Sequence, residues 1–199
     1  MELSRDQGVE KYVLASTSFI YAREELPFSK NRSVNSPISS YATSKKTFGI
    51  DVSVVRYFTV FGPAGRPDMS NFRFIKWIDE GKPIKHYGDG SQSRYFTYVD
   101  DIAEGTIKAL KRLAYEIINL GGGRTPLSLK IVIELIDNNL GKKTVIDNKD
   151  FQETDMKEAR ANISKINKYL DWKPEIGFEE GLEKYSQLVP RKPIMACRC

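Results

Sequence analysis

Two rhythms of hydrophobic and polar positions run through the chain. Short, nearly continuous apolar runs bounded by turn residues mark strands, and longer stretches with apolar residues one helical turn apart mark amphipathic helices. The first run, Lys11-Tyr-Val-Leu-Ala-Ser-Thr-Ser18, follows a helix-like stretch that stops at Gly8. Its hydrophobicity predicts a strand covered on both faces, as in a parallel sheet. Val52-Ser-Val-Val-Arg-Tyr-Phe58 repeats the pattern. A parallel pair needs a crossover of about a dozen residues or more, which residues 19–51 can supply.

Beyond the second strand, Phe61-Gly-Pro-Ala-Gly-Arg-Pro67 reads as a loop, and 71–80 as a helix stopped by Gly81 and Pro83. Strands are expected at Ile84–Tyr87 and Arg94–Tyr98, on either side of the Gly88-Asp-Gly90 turn. Asp100 is placed to cap a helix from Asp101 to Lys111, with Ile102, Thr106, Ala109 and Leu110 inward. Glu116–Leu120 is a strand ended by Gly121–Gly123. Ser128–Leu140 is the clearest amphipathic helix, with Ile131, Val132, Leu135, Ile136 and Leu140 inward and Gly141 as its stop. Helices at Asn162–Leu170 and Gly177–Leu188, separated at Pro174, complete an α/β pattern.

Composition narrows the class. With 199 residues, 40% hydrophobic and 11% aromatic, the chain can bury a real core. No apolar run approaches the ~18–20 residues of a membrane helix, and no basic-then-apolar leader opens the sequence, so a cytoplasmic protein without membrane contact is expected. The 31 Lys+Arg against 26 Asp+Glu are scattered rather than clustered, which argues against a nucleic-acid partner and leaves open an anionic small ligand or a plain solvated surface. Cys197 and Cys199, both near the last residue, form no disulfide framework, and the single histidine, His86, sits in a strand-like segment far from them; no metal site is expected.

Candidate chemistry begins with Tyr41 and Lys45. Four apart on a helix, they share a face, and an ammonium beside a phenol favours its ionised form. Bringing a tyrosine from about 10 to about 7 requires about 4 kcal/mol, after which it serves as a general base. Alone the spacing is weak, since such pairs fall together by chance on surface helices. Its setting adds weight. Ala15-Ser-Thr-Ser18 ends one strand and Arg56-Tyr-Phe-Thr-Val-Phe-Gly-Pro63 ends the next, where open α/β sheets bind ligands.

Taken in series, Ser-Thr-Ser-x-x-Tyr (16–21), Tyr-x-x-x-Lys (41–45), Arg-Tyr-Phe-Thr-Val-Phe-Gly-Pro (56–63), Gly-Asp-Gly-Ser-Gln-x-Arg (88–94) and Tyr-Val-Asp-Asp-Ile (98–102) resemble the signature of the NAD-dependent nucleotide-sugar epimerases of the extended short-chain dehydrogenase family. The run Gly62-Pro-Ala-Gly-Arg-Pro-Asp-Met69 looks like the UDP-glucuronate 4-epimerase branch. The resemblance implies that Tyr41 takes the proton of the sugar 4-hydroxyl, that Lys45 holds the nicotinamide ribose and lowers the tyrosine's pKa, and that Thr17 bridges tyrosine and substrate. Ser16 and Ser18 would line the same pocket, with Ser16 toward the cofactor and Ser18 toward the substrate. Tyr57 and Phe58 would lie by the nicotinamide, and Thr59 would stand where relatives often carry a substrate-contacting Asn. Arg94 and Arg73 would bind the diphosphate, for which a planar five-donor fork is suited. Arg66 is the candidate for a sugar carboxylate, with a solvated loop arginine as the equal alternative. The implied reaction is epimerisation at C4 of a UDP-sugar, UDP-glucuronate to UDP-galacturonate, through transient oxidation with NAD, in a homodimer.

The sequence also departs from that pattern. The 199 residues hold no Gly-x-x-Gly-x-x-Gly turn for a pyrophosphate, and from Tyr41 to Phe48 there is only about 12 Å of helix before the next strand. A second reading, a non-catalytic epimerase-like fragment that binds a sugar nucleotide or a partner chain, follows from these gaps. The expected architecture is part of a Rossmann-like parallel sheet in residues 1–61, with 96–112 returning to it. A smaller α/β sugar-nucleotide domain in 62–95 and 113–190 and a tail at 191–199 complete it.

Overall fold

The computed structural model describes residues 2–18, 50–87, 90, 92–122, 125–149, 158–159 and 161–188. In chain order these form α1 (Glu2–Asp6), β1 (Lys11–Thr17), β2 (Asp51–Tyr57), β3 (Val60–Phe61), α2 (Ser70–Asp79), β4 (Ile84–Tyr87), β5 (Ser93–Arg94), β6 (Thr97–Tyr98), α3 (Val99–Lys108), β7 (Tyr115–Leu120), β8 (Leu127–Ser128), α4 (Leu129–Leu140), β9 (Ile146–Lys149), β10 (Glu158–Ala159), α5 (Ser164–Leu170) and α6 (Phe178–Leu188). The α/β class holds. The expected helix carrying Tyr41 and Lys45, and the Cys197 and Cys199 tail, lie outside the described residues.

The principal sheet is parallel, in the order β1-β2-β7. Its register is unbroken: Lys11 to Thr17 pair with Asp51 to Tyr57, and Val52 to Tyr57 pair with Tyr115 to Leu120. Central β2 is buried on both faces from Val52 to Arg56. By contrast β1, expected to be covered on both faces, is half-buried with Ala15 and Thr17 exposed, because β2 is its only neighbour among the described strands. β7 belongs to the principal sheet, since its backbone pairs with β2 rather than with any later strand.

Smaller ladders carry the remaining chain: antiparallel β5-β8 joined by parallel β10, parallel β3-β6, and parallel β4-β9. The single strand expected over Arg94–Tyr98 is therefore two, because Tyr95 and Phe96 turn into the core between them. One apolar cluster packs Phe61, Phe96, Tyr98 and Phe178 between α2, α4 and α6. The other packs Val55, Ile118, Leu120 and Trp172 between the sheet, α3 and α5.

α3 starts at Val99 rather than Asp101. Its N-cap is Tyr98, extended and without a side-chain cap, and Asp100 and Asp101 fill the first turn, where carboxylates oppose the helix dipole. The helix also stops earlier than expected, at Lys108, and Leu110 is exposed beyond it. Lys108 and Lys111 donate instead to the carbonyls of Asp171 and Tyr169, at the C-terminal end of α5. In α4 the Ser128 hydroxyl accepts from the Ile131 amide and Gly141 closes the helix at φ 64°. Ile131, expected inward, is exposed, and Ile133 takes the buried place, which the helical angle favours beside Val132 and Ile136.

α3 is locked to the segment before α6. The buried Asp101 carboxylate accepts the amides of Glu175 and Ile176 at 3.1 and 3.0 Å, and its carbonyl accepts the Trp172 indole N–H at 3.0 Å. Gly105 permits the contact, since a Cβ there would lie 2.3 Å from Leu120 Cδ1 and 3.0 Å from the Trp172 ring. Replacing Asp101 with Ala leaves two amides without an acceptor and is expected to cost about 2–4 kcal/mol. For a domain of this size that lowers Tm by roughly 5–15 °C. Differential scanning calorimetry checks it; a shift of less than about 2 °C would mean the clasp contributes little.

Candidate functional site

Parallel register brings the exits of three strands to one edge. Thr17 pairs with Tyr57, and Tyr57 with Leu120; one step earlier, Ser16, Arg56 and Asn119 form the same kind of row. Neighbouring strands are about 4.8 Å apart, so Ser16, Thr17, Ser18, Tyr57, Phe58, Thr59 and the Gly121-Gly122 turn form a single crest. The backbone closes it. Phe58 N–H donates to the Leu120 carbonyl at 3.1 Å, and Thr97 N–H to the Thr59 carbonyl at 3.0 Å. Gly122 N–H donates to the Thr97 hydroxyl oxygen at 2.9 Å. Gly121 takes φ 131°, and a Cβ there would lie 2.8 Å from Phe58 Cβ, so the position needs glycine.

Each expected site residue has its own setting. Thr17 is exposed at the crest, with Ser16 and Ser18 half-buried beside it. Phe58 is buried and Thr59 half-buried. Tyr57 turns its hydroxyl away from solvent: it lies 3.1 Å from Thr106 Oγ1. Thr106 Oγ1 itself donates to the Ile102 carbonyl at 2.7 Å, so the Tyr57 hydroxyl is the donor of the pair. Tyr41 and Lys45 lie outside the described residues.

The arginines are spread over separate elements. Arg66 lies in the loop before α2, exposed, and its fork grips Asp68 through Nε at 2.9 Å and Nη2 at 2.5 Å. The hydrogen bond from Arg66 holds the Asp68 carboxyl below its ordinary range, and that bond raises the guanidinium in turn. A carboxylate thus already fills the fork expected to read a sugar carboxylate. Arg73, on α2, stacks its guanidinium 4.9 Å from the Trp77 ring. Arg94, on β5, is half-buried and donates to the Ser93 carbonyl at 2.9 Å. Sequence reasoning did not single out Thr97 as a site residue. Its only signal is its place between Arg94 and the Tyr-Val-Asp-Asp run.

Among the described residues no group of His, Cys, Asp and Glu could hold a metal ion, and no helix is long and apolar enough to cross a membrane. His86 lies in β4, as its context predicts.

A parallel sheet that presents hydroxyls and a close glycine turn at its C-terminal edge is the ligand edge of a Rossmann-like α/β protein. The model of the NAD dependent epimerase/dehydratase family matches residues 1–121, and the chain belongs to that family. It is 54% identical over 195 residues to the UDP-glucuronate 4-epimerase of Thermodesulfobacterium geofontis, covering 92% of this chain and 60% of that protein. It is 32% identical over 216 residues to Protein CapI of Staphylococcus aureus, covering 93% and 64%. The chain therefore spans somewhat less than two thirds of the length of these curated relatives. Among solved structures it resembles UDP-glucuronic acid 4-epimerase from Bacillus cereus in complex with UDP-glucuronic acid and NAD, with a TM-score of 0.83, 31% identity, and coverage of 94% of this chain and 65% of that one. UDP-glucose 4-epimerase of Thermus thermophilus, solved with NAD, aligns with a TM-score of 0.80 at 25% identity over 94% and 66%.

The Tyr57–Thr106 hydrogen bond gives a test of the crest's packing. Tyr57→Phe is expected to cost about 0.5–1.5 kcal/mol in urea unfolding, with an unchanged m value. No change in midpoint would place the hydroxyl elsewhere.

Proposed function

We propose that the protein is part of an NAD-dependent nucleotide-sugar 4-epimerase whose substrate is UDP-glucuronate and whose product is UDP-galacturonate. The observation that carries the reading is the 54% identity to a UDP-glucuronate 4-epimerase over 92% of the chain. The donor set agrees with it. Hydroxyls at the open end of a parallel strand, beside the half-buried Tyr57, fit the ribose and ring end of a dinucleotide. Ser16, Tyr57 and Phe58 would hold that end, with Tyr41 and Lys45 beside it. Bound there, NAD would supply reversible hydride acceptance at the sugar C4. The chain's own residues manage the proton and the pose. Tyr41 takes the 4-hydroxyl proton as general base, Lys45 stabilises the phenolate, and Thr17 carries a hydroxyl between them and the sugar. Ser18 and Thr59 contact the sugar, and Arg73 and Arg94 pair with the diphosphate.

The division of labour is part of the same proposal. Residues 1–61 with 96–112 would form the cofactor domain, its strand exits also reaching the sugar through Thr17, Ser18 and Thr59, and 62–95 with 113–190 the sugar-nucleotide domain, β7 excepted because it pairs in the cofactor sheet. A homodimer, inferred from the resemblance alone, and a cytoplasmic setting belong to the same proposal.

The test is direct. Full-length protein incubated with UDP-glucuronate and NAD should yield UDP-galacturonate by chromatography, and Tyr41→Phe should lower turnover about 10²–10⁴-fold with folding unchanged. Turnover of UDP-glucose but not UDP-glucuronate would overturn the substrate assignment. The role of Arg66 has a separate check. If the sugar carboxylate displaces Asp68 from the fork, Arg66→Ala should weaken UDP-glucuronate binding by about tenfold or more and leave UDP-glucose unaffected. An equal loss for both sugars would remove the carboxylate-reading role.

A further inference from the structure

Two irregular segments at the crest depend on one buried side chain. Thr97 is fully buried. It stands opposite Val60 in the β3-β6 ladder. Its amide fixes the carbonyl of Thr59 at 3.0 Å, and its hydroxyl oxygen accepts the amide of Gly122 at 2.9 Å. Thr59 lies between β2 and β3, and Gly122 follows the end of β7, so neither belongs to a ladder of its own. The Phe58–Leu120 hydrogen bond ties the two exits one residue earlier, and the tight contact of Gly121 with Phe58 leaves no slack there. Past that point Thr97 bridges them. A buried amide without an acceptor is unfavourable, so without the Thr97 oxygen the 121–122 turn would shift toward water and Thr59 would lose a fixed neighbour.

We propose that Thr97 is a positioning residue: it locks the exit of β2 to the glycine turn after β7 and so holds Thr59 in the pose that reads the sugar of the nucleotide-sugar substrate. This rests on the reading of the crest as a sugar-nucleotide site. The diphosphate is assigned to Arg73 and Arg94 and the sugar contact to Thr59, so the effect falls on the sugar. Valine has nearly the shape of threonine and cannot accept the Gly122 amide, whereas serine can.

The experiment compares full-length wild type, Thr97→Val and Thr97→Ser. Calorimetric titrations use UDP and UDP-glucuronate, steady-state turnover gives KM and kcat, and hydrogen exchange is read at the peptide spanning Gly121 and Gly122. Thr97→Val should weaken UDP-glucuronate by about tenfold and raise KM in step, leave UDP within about twofold, and speed exchange at the turn. Thr97→Ser should restore all three. Equal weakening of UDP and UDP-glucuronate, or unchanged affinity for both, would overturn the role, as would unchanged exchange at the turn. Wild-type protein that binds neither ligand would sink the sugar-nucleotide reading itself, and this role with it; a wild type that binds both while the variant matches it would sink only the inference about Thr97.

Discussion

The in-register pairing of β1, β2 and β7 is the constraint on which the site depends. In a parallel sheet all strands end at the same edge, and a slip of one residue sends every side chain to the opposite face. The pairing of Thr17 with Tyr57, and of Tyr57 with Leu120, therefore fixes which hydroxyls and which ring stand together. Burial of β2 on both faces protects that register, because its ladder hydrogen bonds have no water to exchange with. The crest follows from strand alignment alone, before any ligand is considered.

A single stretch of chain then joins the crest to everything else. From Ser93 to Lys108 it contributes a strand to one small sheet and another to the β3 ladder, then enters α3. Within it Thr97 bridges the two strand exits. Tyr98 enters the aromatic cluster with Phe61, at 5.4 Å between ring centroids. Burial raises the pKa of Tyr98, as does the nearby Asp100. Asp101 grips the segment before α6, Gly105 admits Trp172, and Thr106 takes the Tyr57 hydroxyl. Its helical part is held by its own backbone, and the placement of that helix is set by the partners on either side.

Charge is organised locally. The exposed pairs Lys108–Glu104 and Lys184–Glu180 lie one helical turn apart, where screening by water leaves them small individual weight. Arg66 and Asp68 are also exposed, but their two-pronged geometry matches the way a guanidinium receives any carboxylate. That pairing displays, within the chain itself, the recognition proposed for the sugar acid.

The elements whose hydrophobic rhythm is strong were legible from the amino-acid order: β2, β7, α2, α4 and α6 fall within a residue or two of their expected places, and Ser128 and Gly141 bound α4 through local chemistry. The motif series from Ser16 to Ile102 was enough to identify the family and most of the crest. Local pattern could not decide the sheet to which β7 belongs, the exposure of β1, the inward turn of the Tyr57 hydroxyl, or the hold of Asp68 on Arg66. Nor could it find Thr97, which looks like any strand residue until Thr59 and Gly122 arrive beside it. The physical reason is range. Helix periodicity and caps are set by residues a few positions apart, and sequence determines them by itself. Strand partners, buried hydrogen bonds and close glycine contacts join residues tens of positions apart, so only the tertiary structure decides them.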